Sequence, residues 1–129
     1  MRTVVSTLSQ LDARKTAYAC YFRQTAEPAQ FYASAERFPS ASLIKVPIAL
    51  AWIHLERQGV LDRSELCDLD NEQQVEGAGF SWLLRNRQPP YQDVLLTMLT
   101  LSDNLRTNAV ISRVGMQRLN QVFREELGL

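Results

Sequence analysis

The pattern of apolar and polar residues differs along the chain. In residues 3–11 apolar side chains recur at helical spacing, which predicts a short amphipathic helix. The runs "TAYACYFRQ" and "AQFYASAERF" that follow are rich in aromatic and small residues and flank Glu27-Pro28. Two such runs around a proline-containing turn predict an antiparallel β-hairpin.

Helical spacing governs the remainder of the chain. From Ser42 to about Arg57 apolar residues cover every side of the predicted helix, so we expect this helix to be central and buried. Pro47 falls in its first turns, where a missing N–H is tolerated, and Gly59 ends it. Further helices are predicted at about 79–86, in "YQDVLLTMLTL", at about 105–114 and at about 116–127. This order of elements predicts an α+β fold that is mostly helical and carries an N-terminal β-hairpin.

Length and composition fit a single globular domain. At 129 residues the chain can bury one hydrophobic core but not comfortably two. Its apolar fraction of 46% and charged fraction of 22% are typical of globular proteins. We therefore expect one domain over residues 1–129, in which residues 1–37 supply the N-terminal helix and hairpin and residues 38–129 the helical part.

The charge balance and the N-terminus disfavour two kinds of partner. Lys plus Arg equals Asp plus Glu, 14 against 14, whereas nucleic-acid-binding proteins usually carry a basic excess. The N-terminus contains neither an apolar core of signal-peptide length nor a membrane-spanning segment. As written, the chain is expected to be cytoplasmic, with neither nucleic acid nor a membrane as partner. A periplasmic or secreted protein whose leader had been removed would look the same.

Residue types that bind metals are sparse. Cys20 and Cys67 lack the spacing of a metal site, and we expect isolated thiols rather than a bridge, although the sequence alone leaves pairing open. His54 is the only histidine, so a zinc cluster is not expected, and His54 itself is expected to pack or to lie on the surface. The run from Asp68 to Glu72 misplaces the glycine and closing glutamate of a calcium loop, which favours a solvated loop. The sequence thus predicts no metal and no cofactor.

A serine and a lysine stand at the start of the central helix. Ser42 and Lys45 are three residues apart and share a helix face, whereas Ser40 and Lys45 do not. A serine hydroxyl needs a base to become a nucleophile, and burial lowers the pKa of a lysine so that a neutral amine can serve. A helix N-terminus also favours the negative charge that develops during acyl transfer. The alternative is a helix cap, with a serine accepting N–H bonds and Lys45 extending to solvent.

The run Ser102-Asp103-Asn104 lies between two apolar helical segments. Three small polar residues are costly there unless they are hydrogen-bonded. Taken alone, an interhelical turn whose serine or aspartate caps the next helix explains them. Together with the pair Ser42 and Lys45, however, the run matches the S-x-x-K and S-D-N signatures of penicillin-recognising serine enzymes.

On these motifs the chain resembles the class A β-lactamases and the wider superfamily of β-lactamase-like and penicillin-binding serine enzymes. "RFPSASLIKVPIAL" is similar to the family's nucleophile segment, and "GAGFSWLL" to its glycine-rich lead into the next helix. "DVLLTMLTLSDNLRTNAVISRVG" follows the family pattern through the S-D-N loop. The interval of 60 residues from Ser42 to Ser102 is the one the family shows. The resemblance covers nearly the whole chain and implies a β-lactamase-like fold.

The resemblance implies β-lactam ring opening through an acyl-serine intermediate. Ser42 would attack a β-lactam or acyl-D-Ala-type carbonyl, and its own N–H would form half of the oxyanion hole. Lys45 would be the base for acylation or the group that tunes it. Ser102 would bond Lys45 and relay a proton to the leaving nitrogen, and Asn104 would hold Lys45 and the side-chain amide of the substrate. Asp103 would brace the loop.

The chain departs from the family beyond the S-D-N segment. The glutamate that activates the deacylating water, the K-T-G triad and the second oxyanion N–H lie further on in the family, whereas this chain stops at "REELGL". Glu125 and Glu126 are expected on a solvated helix face, and the K-T-A run at Lys15 is taken as coincidence. Two strands alone leave a sheet incomplete. We therefore expect a truncated β-lactamase-like chain, inactive or slow by itself, whose sheet a second copy or a complementing chain would complete.

Three other functions stay open at this point. The chain could be a non-catalytic module that binds a β-lactam or a partner, a relative of the D-Ala-D-Ala carboxypeptidases, or a small helical regulator without covalent chemistry. Turnover of a chromogenic cephalosporin would separate the hydrolase from the binding module. A covalent mass increase without turnover would indicate a trap.

Overall fold

The computed structural model describes residues 20–22, 30–32, 39–75 and 77–129. The contacts of the chain divide it into two units, residues 1–39 and 40–129, and each is described by itself. The helix predicted over residues 3–11 and the turn at Glu27-Pro28 lie outside the described residues. The organisation of the chain as one domain stays a prediction.

The first unit contains a pair of short strands. Strand β1 (Cys20–Phe22) pairs antiparallel with strand β2 (Gln30–Tyr32). The residues opposite one another are Cys20 and Tyr32, Tyr21 and Phe31, and Phe22 and Gln30. Both strands fall inside the aromatic runs of the sequence, so the predicted antiparallel pairing is confirmed.

The described residues of the second unit form four α-helices, α1 (Lys45–Arg57), α2 (Tyr91–Thr100), α3 (Asn104–Val114) and α4 (Met116–Glu125). Short 3-10 turns lie at Ala41–Ile44, Leu69–Asn71 and Ser81–Leu83. The four long helices predicted from periodicity are confirmed apart from their end residues. Gly115 separates α3 from α4 with a φ of 86°, a backbone conformation that favours glycine.

The helix predicted at about 79–86 is wrong. Only the 3-10 turn Ser81–Leu83 forms there. Gly79 on one side has a φ of 96°, and Leu84 on the other side is extended, with φ −80° and ψ 138°. The backbone therefore leaves helical conformation at both ends of the turn.

The expectation that α1 is buried on every side is also wrong. Val46, Leu50 and Ile53 are exposed. The helices α2, α3 and α4 contact α1, and they cover the face that carries its buried residues. Periodicity identified the apolar residues of α1 correctly but did not show on which sides neighbouring elements lie.

The core of the second unit lies between the four helices and the loop that connects α1 to α2. Its buried members include Ile48, Ala51, Trp52, Leu55, Leu69, Tyr91, Val94, Met98, Ala109, Val110 and Leu119. The rings of Trp52 and Tyr91 stack with their centroids 4.7 Å apart. Each large apolar side chain buried in this way stabilises the fold by about 1.5–3 kcal/mol. This core holds the N-terminus of α1 and the turn between α2 and α3 in a fixed relation.

One cysteine can be assessed. Cys67 is a buried free thiol, and burial raises its pKa although the hydroxyl of Tyr91 hydrogen-bonds to it. A buried thiol with a raised pKa is a structural rather than a reactive cysteine. The side chain of Cys20 lies outside the described residues.

Candidate active site

The serine and lysine of the S-x-x-K motif lie where the chain enters α1. Ser42 belongs to the 3-10 turn Ala41–Ile44, and Lys45 is the first residue of the helix. Ala41 has a φ of 44°, a left-handed conformation that is uncommon outside glycine and turns the chain into the helix. Ser42 is exposed, whereas Lys45 is only 5% exposed. The motif thus presents an accessible hydroxyl above a buried amine.

The S-D-N turn approaches this amine from the junction between α2 and α3. Ser102 has a φ of 55°, which for a non-glycine residue costs about 1–2 kcal/mol. In this conformation both its carbonyl oxygen and its hydroxyl point at Lys45. The Nζ atom of Lys45 donates to the carbonyl oxygen of Ser102 at 2.5 Å and to its Oγ at 2.9 Å.

The ammonium group of Lys45 is saturated with acceptors. Its third close partner is Oδ1 of Asn104, at 2.8 Å. The Oγ of Ser42 is more distant, at 3.4 Å from Nζ. Ser102 Oγ donates to Ser42 Oγ at 2.8 Å. Since a lysine has three N–H donors, the hydroxyl of Ser102 is the link between the buried amine and Ser42.

Two opposing effects set the charge of Lys45. Burial lowers its pKa below the ordinary value, and the negative charge of Asp103 acts in the opposite direction. Burial has the larger effect, because removing an ammonium group from water disfavours its charged form. A neutral amine is therefore more accessible at Lys45 than at an exposed lysine.

Asp103 fastens the S-D-N turn to a neighbouring segment. Its Oδ2 accepts from the backbone N–H groups of Phe80 at 3.1 Å and Ser81 at 3.0 Å, while Oδ1 accepts from the N–H of Arg106 at 3.1 Å and caps α3. Burial by itself raises the pKa of Asp103, but the hydrogen bonds from Ser81, Arg106 and Phe80 outweigh it and hold the pKa below the ordinary value. Asp103 is therefore a carboxylate that binds the loop.

The glycine-rich run "GAGF" allows this segment to come close to the turn. The N–H of Asn104 donates to the carbonyl oxygen of Ala78 at 3.1 Å. A Cβ atom at Gly79 would lie 2.3 Å from Oδ2 of Asp103, and one at Gly77 would lie 3.0 Å from Nδ2 of Asn104. A side chain at Gly79 would thus displace the carboxylate that anchors the turn.

The structure brings together all four residues that the sequence pointed to. Ser42, Lys45, Ser102 and Asn104 form one hydrogen-bonded set, although positions up to 60 residues apart contribute to it. Ser40, the other serine of the segment, lies outside the α-helix and is exposed.

Two polar residues beneath the site were not singled out from the sequence. Arg106 is buried in α3, and its Nε donates to Oγ of Ser81 at 2.5 Å. The sequence did contain one sign of Arg106, namely a charged residue at a position of α3 where the apolar spacing predicts a buried side chain. Its partner lies 25 residues earlier, and no local pattern connects the two positions.

The remaining candidates lie elsewhere. His54, near the other end of α1, is 2.9 Å from Nε2 of Gln58 through its own Nε2, and its Nδ1 lies 4.0 Å from Glu126. Asp68 caps a 3-10 turn, and Asp70 pairs with an arginine. Among the described residues, no group of histidine, cysteine and carboxylate side chains could hold a metal ion. No described helix is long and apolar enough to cross a lipid bilayer.

A buried lysine linked to a serine hydroxyl through the serine of an S-D-N turn, at the start of a helix, is typical of β-lactamase-like serine hydrolases. The family described as "Beta-lactamase enzyme family" matches residues 3–129. The chain therefore belongs to the Beta-lactamase enzyme family, and the resemblance stated from the motifs is confirmed.

Two solved structures of PBP-A are similar to this chain. One is a mutant of PBP-A in an acyl-enzyme complex with penicillin G, which is 28% identical with a TM-score of 0.80 and covers 97% of this chain and 49% of its own. The other, PBP-A itself, is 26% identical with a TM-score of 0.77 and the same coverage, 97% and 49%. This chain thus spans about half the length of the PBP-A chains it matches. No curated protein matches it. The predicted α+β, β-lactamase-like and mostly helical fold is confirmed.

Proposed function

We propose that Ser42 opens the ring of a β-lactam, or attacks a related acyl-D-Ala-type substrate, and forms an acyl-serine intermediate. The convergence of Ser42, Lys45 and Ser102 carries the proposal, with distances of 2.8 and 2.9 Å from the hydroxyl of Ser102 to the other two. The acyl-enzyme complex of a PBP-A mutant with penicillin G supports the choice of substrate.

Proton transfer in this proposal begins at Lys45. In its neutral form the amine takes the hydroxyl proton of Ser42, either directly or through Ser102 Oγ. The oxygen of Ser42 then bonds to the carbonyl carbon, and the C–N bond of the lactam breaks. Ser102 gives its proton to the departing nitrogen and regains one from the Lys45 ammonium. The proton removed from Ser42 thus ends on the nitrogen of the opened ring.

Asn104 has two polar atoms with different tasks. Its Oδ1 accepts from Lys45 at 2.8 Å, so this oxygen orients the amine. Its Nδ2 group can then donate to the carbonyl oxygen of the substrate's side-chain amide. The role fits the position of Asn104 as the first residue of α3, where the helix holds its backbone rigidly.

Hydrolysis of the acyl-serine needs an activated water. Within residues 39–75 and 77–129, no carboxylate hydrogen-bonds to Ser42. A β-lactam trap, on which the acyl-serine persists, is therefore the second candidate beside a β-lactamase.

Intact-protein mass spectrometry after incubation with penicillin G tests acylation. Wild type is expected to gain the mass of the drug and Ser42→Ala is not. Ser40→Ala is the matched control, since Ser40 is an exposed serine two positions away, and it should be acylated like wild type. An unmodified wild type at high drug concentration, or an adduct on Ser42→Ala, would overturn the proposal.

Turnover of a chromogenic cephalosporin then separates the two candidates. Colour that develops well beyond one equivalent of protein would identify a hydrolase. One equivalent of adduct with no further colour would identify a trap. Ser42→Ala should show neither behaviour.

A further inference from the structure

A buried cation lies directly behind the S-D-N turn. Arg106 is 4% exposed, and its guanidinium donates through Nε to Ser81 Oγ at 2.5 Å and through Nη1 to the carbonyl oxygen of Asp93 at 3.2 Å. Among the described residues, no carboxylate forms an ion pair with it. Burying a cation against neutral oxygens costs free energy, so packing alone does not explain an arginine here.

Arg106 and its two partners belong to three different elements. Ser81 lies in the 3-10 turn after the glycine-rich run, Asp93 lies in α2, and Arg106 itself lies in α3. The N–H groups of both Ser81 and Arg106 also donate to the carboxylate of Asp103. The guanidinium therefore links α2 to the two elements that Asp103 already joins.

We propose that Arg106 is a positioning residue, whose guanidinium fixes residues 78–81 beneath the S-D-N turn and thereby holds Ser102 and Asn104 against Lys45. Arg106 touches none of the reacting atoms. The inference rests on the proposed function for its effect on acylation, but its effect on Lys45 can be measured without any substrate.

Loss of Arg106 is expected to raise the pKa of Lys45. The charged or titratable groups near Lys45 and Arg106 include Asp103 in the turn, Cys67 in the loop before α2, and Arg87, whose Nη1 donates to the carbonyl oxygen of Ser81 at 3.0 Å. Removing the guanidinium takes away a positive charge, and a loosened turn admits water to the amine. Both changes favour the ammonium. Displacement of Asp103 and of the acceptors on Ser102 and Asn104 acts in the opposite direction, but burial is the largest cause of the lowered pKa of Lys45, so relief of burial should give a net rise towards the ordinary value.

The pKa of Lys45 can be measured by NMR, because the chain contains only two lysines. Lys15 and Lys45 are the only lysines, so protein labelled with 13C at the lysine ε-carbon gives two signals, which Lys15→Arg assigns. Titration of the Lys45 signal is expected to move to higher pH in Arg106→Met and part of the way in Arg106→Lys. Arg113→Gln is the matched control, since it removes a charge from the same helix at a half-exposed ion pair with Glu65, and it should titrate like wild type.

A second measurement uses acylation by penicillin G, corrected for the folded fraction. Arg106→Met is expected to lower the rate constant by about tenfold or more, because small displacements of catalytic groups have effects of this size. Ser81→Ala removes only one hydroxyl and is the milder variant, with a smaller change in the same direction for both readouts.

The two proposals fail in different ways. The inference is overturned if Lys45 titrates as in wild type in both folded Arg106→Met and folded Ser81→Ala and only the melting temperature changes. Arg106 would then contribute to stability alone. If penicillin G does not modify wild type, the proposed function fails, and the lysine titration still decides the role of Arg106.

Discussion

The two ends of α1 each carry a titratable side chain in a polar setting, and they differ in what surrounds it. At the N-terminal end, Lys45 is buried and its close acceptors come from residues 57 and 59 positions away. Towards the C-terminal end, His54 is half-buried, and its nearest hydrogen-bonding partner is Gln58, four residues on. A cavity of about 230 Å³ lies beside His54.

The two ends differ in how much tertiary structure their polar contacts require. A contact between residues four apart forms on any helix and needs no tertiary structure. A buried lysine, in contrast, requires acceptors that the rest of the fold must deliver. The convergence of distant polar groups therefore supports the proposal that the reactive site lies at the N-terminal end of α1.

The largest effect is expected from a substitution of Lys45, at the N-terminal end of α1. Lys45→Arg keeps the positive charge but cannot provide a neutral amine, because arginine stays protonated. The rate of penicillin G acylation is expected to fall by about 10²–10⁴-fold, the usual contribution of a general base. The time course of adduct formation by mass spectrometry measures this, and an unchanged rate would exclude Lys45 as the base.

The pH dependence of wild-type acylation also tests whether Lys45 is the base. Because burial lowers the pKa of Lys45, the rate should rise with pH as the ammonium loses its proton and level off above that lowered pKa. The free energy of unfolding should also rise with pH between the folded pKa and the ordinary lysine value, where the unfolded chain binds more protons. A flat rate profile would contradict the assignment.

Gly79, beside the S-D-N turn, and Gly59, just after the C-terminal end of α1, provide a matched pair for stability. Gly79→Ala would force a Cβ to within 2.3 Å of the Asp103 carboxylate and is expected to cost about 3 kcal/mol or more. Gly59, just after the C-terminal end of α1, also has a positive φ but nothing within 4 Å of its would-be Cβ, so Gly59→Ala should cost only about 1–2 kcal/mol. Chemical denaturation compares them, and equal costs would mean that the approach to Asp103 is not tight.

Asp103→Asn tests the anchor of the turn. Replacing a carboxylate that accepts three backbone N–H bonds is expected to cost about 2 kcal/mol. Because the pKa of Asp103 is lowered in the folded protein, its stabilisation is complete above the ordinary carboxyl range and is lost as pH falls through the lowered pKa. Acid unfolding of wild type and Asp103→Asn should therefore converge at low pH, and parallel curves would speak against this role.

The smallest effect is expected at the opposite end of α1. His54→Gln should change the free energy of unfolding by no more than about 0.5 kcal/mol, since its closest contact, with Gln58, is local and its contact with Glu126 is long, at 4.0 Å. Acylation by penicillin G should match wild type. A large loss of acylation would show that the cavity at this end matters to the reaction.

The sequence was sufficient for the parts of the molecule that local patterns encode. The period of apolar residues predicted the helices after Ser42, and two short motifs predicted which side chains meet at Lys45. Each motif is contiguous in the chain, and the helices that carry them are long enough for periodicity to be read.

What the sequence did not predict depends on contacts through space. The helix expected at about 79–86 is replaced by a short turn because Gly79 adopts a positive φ against Asp103, which is 24 positions away. The pairing of Arg106 with Ser81 and the exposed side of α1 likewise depend on which elements lie together. No pattern within a single element reports these relations.

The left-handed backbone at Ser102 has a consequence for how this protein would evolve in the laboratory. Glycine adopts that conformation without steric cost, so a library selected only for thermal stability would tolerate glycine at this position. Selection for reactivity would not, since glycine lacks the hydroxyl that connects Lys45 to Ser42. Screens for robustness and screens for chemistry should therefore diverge first at residue 102.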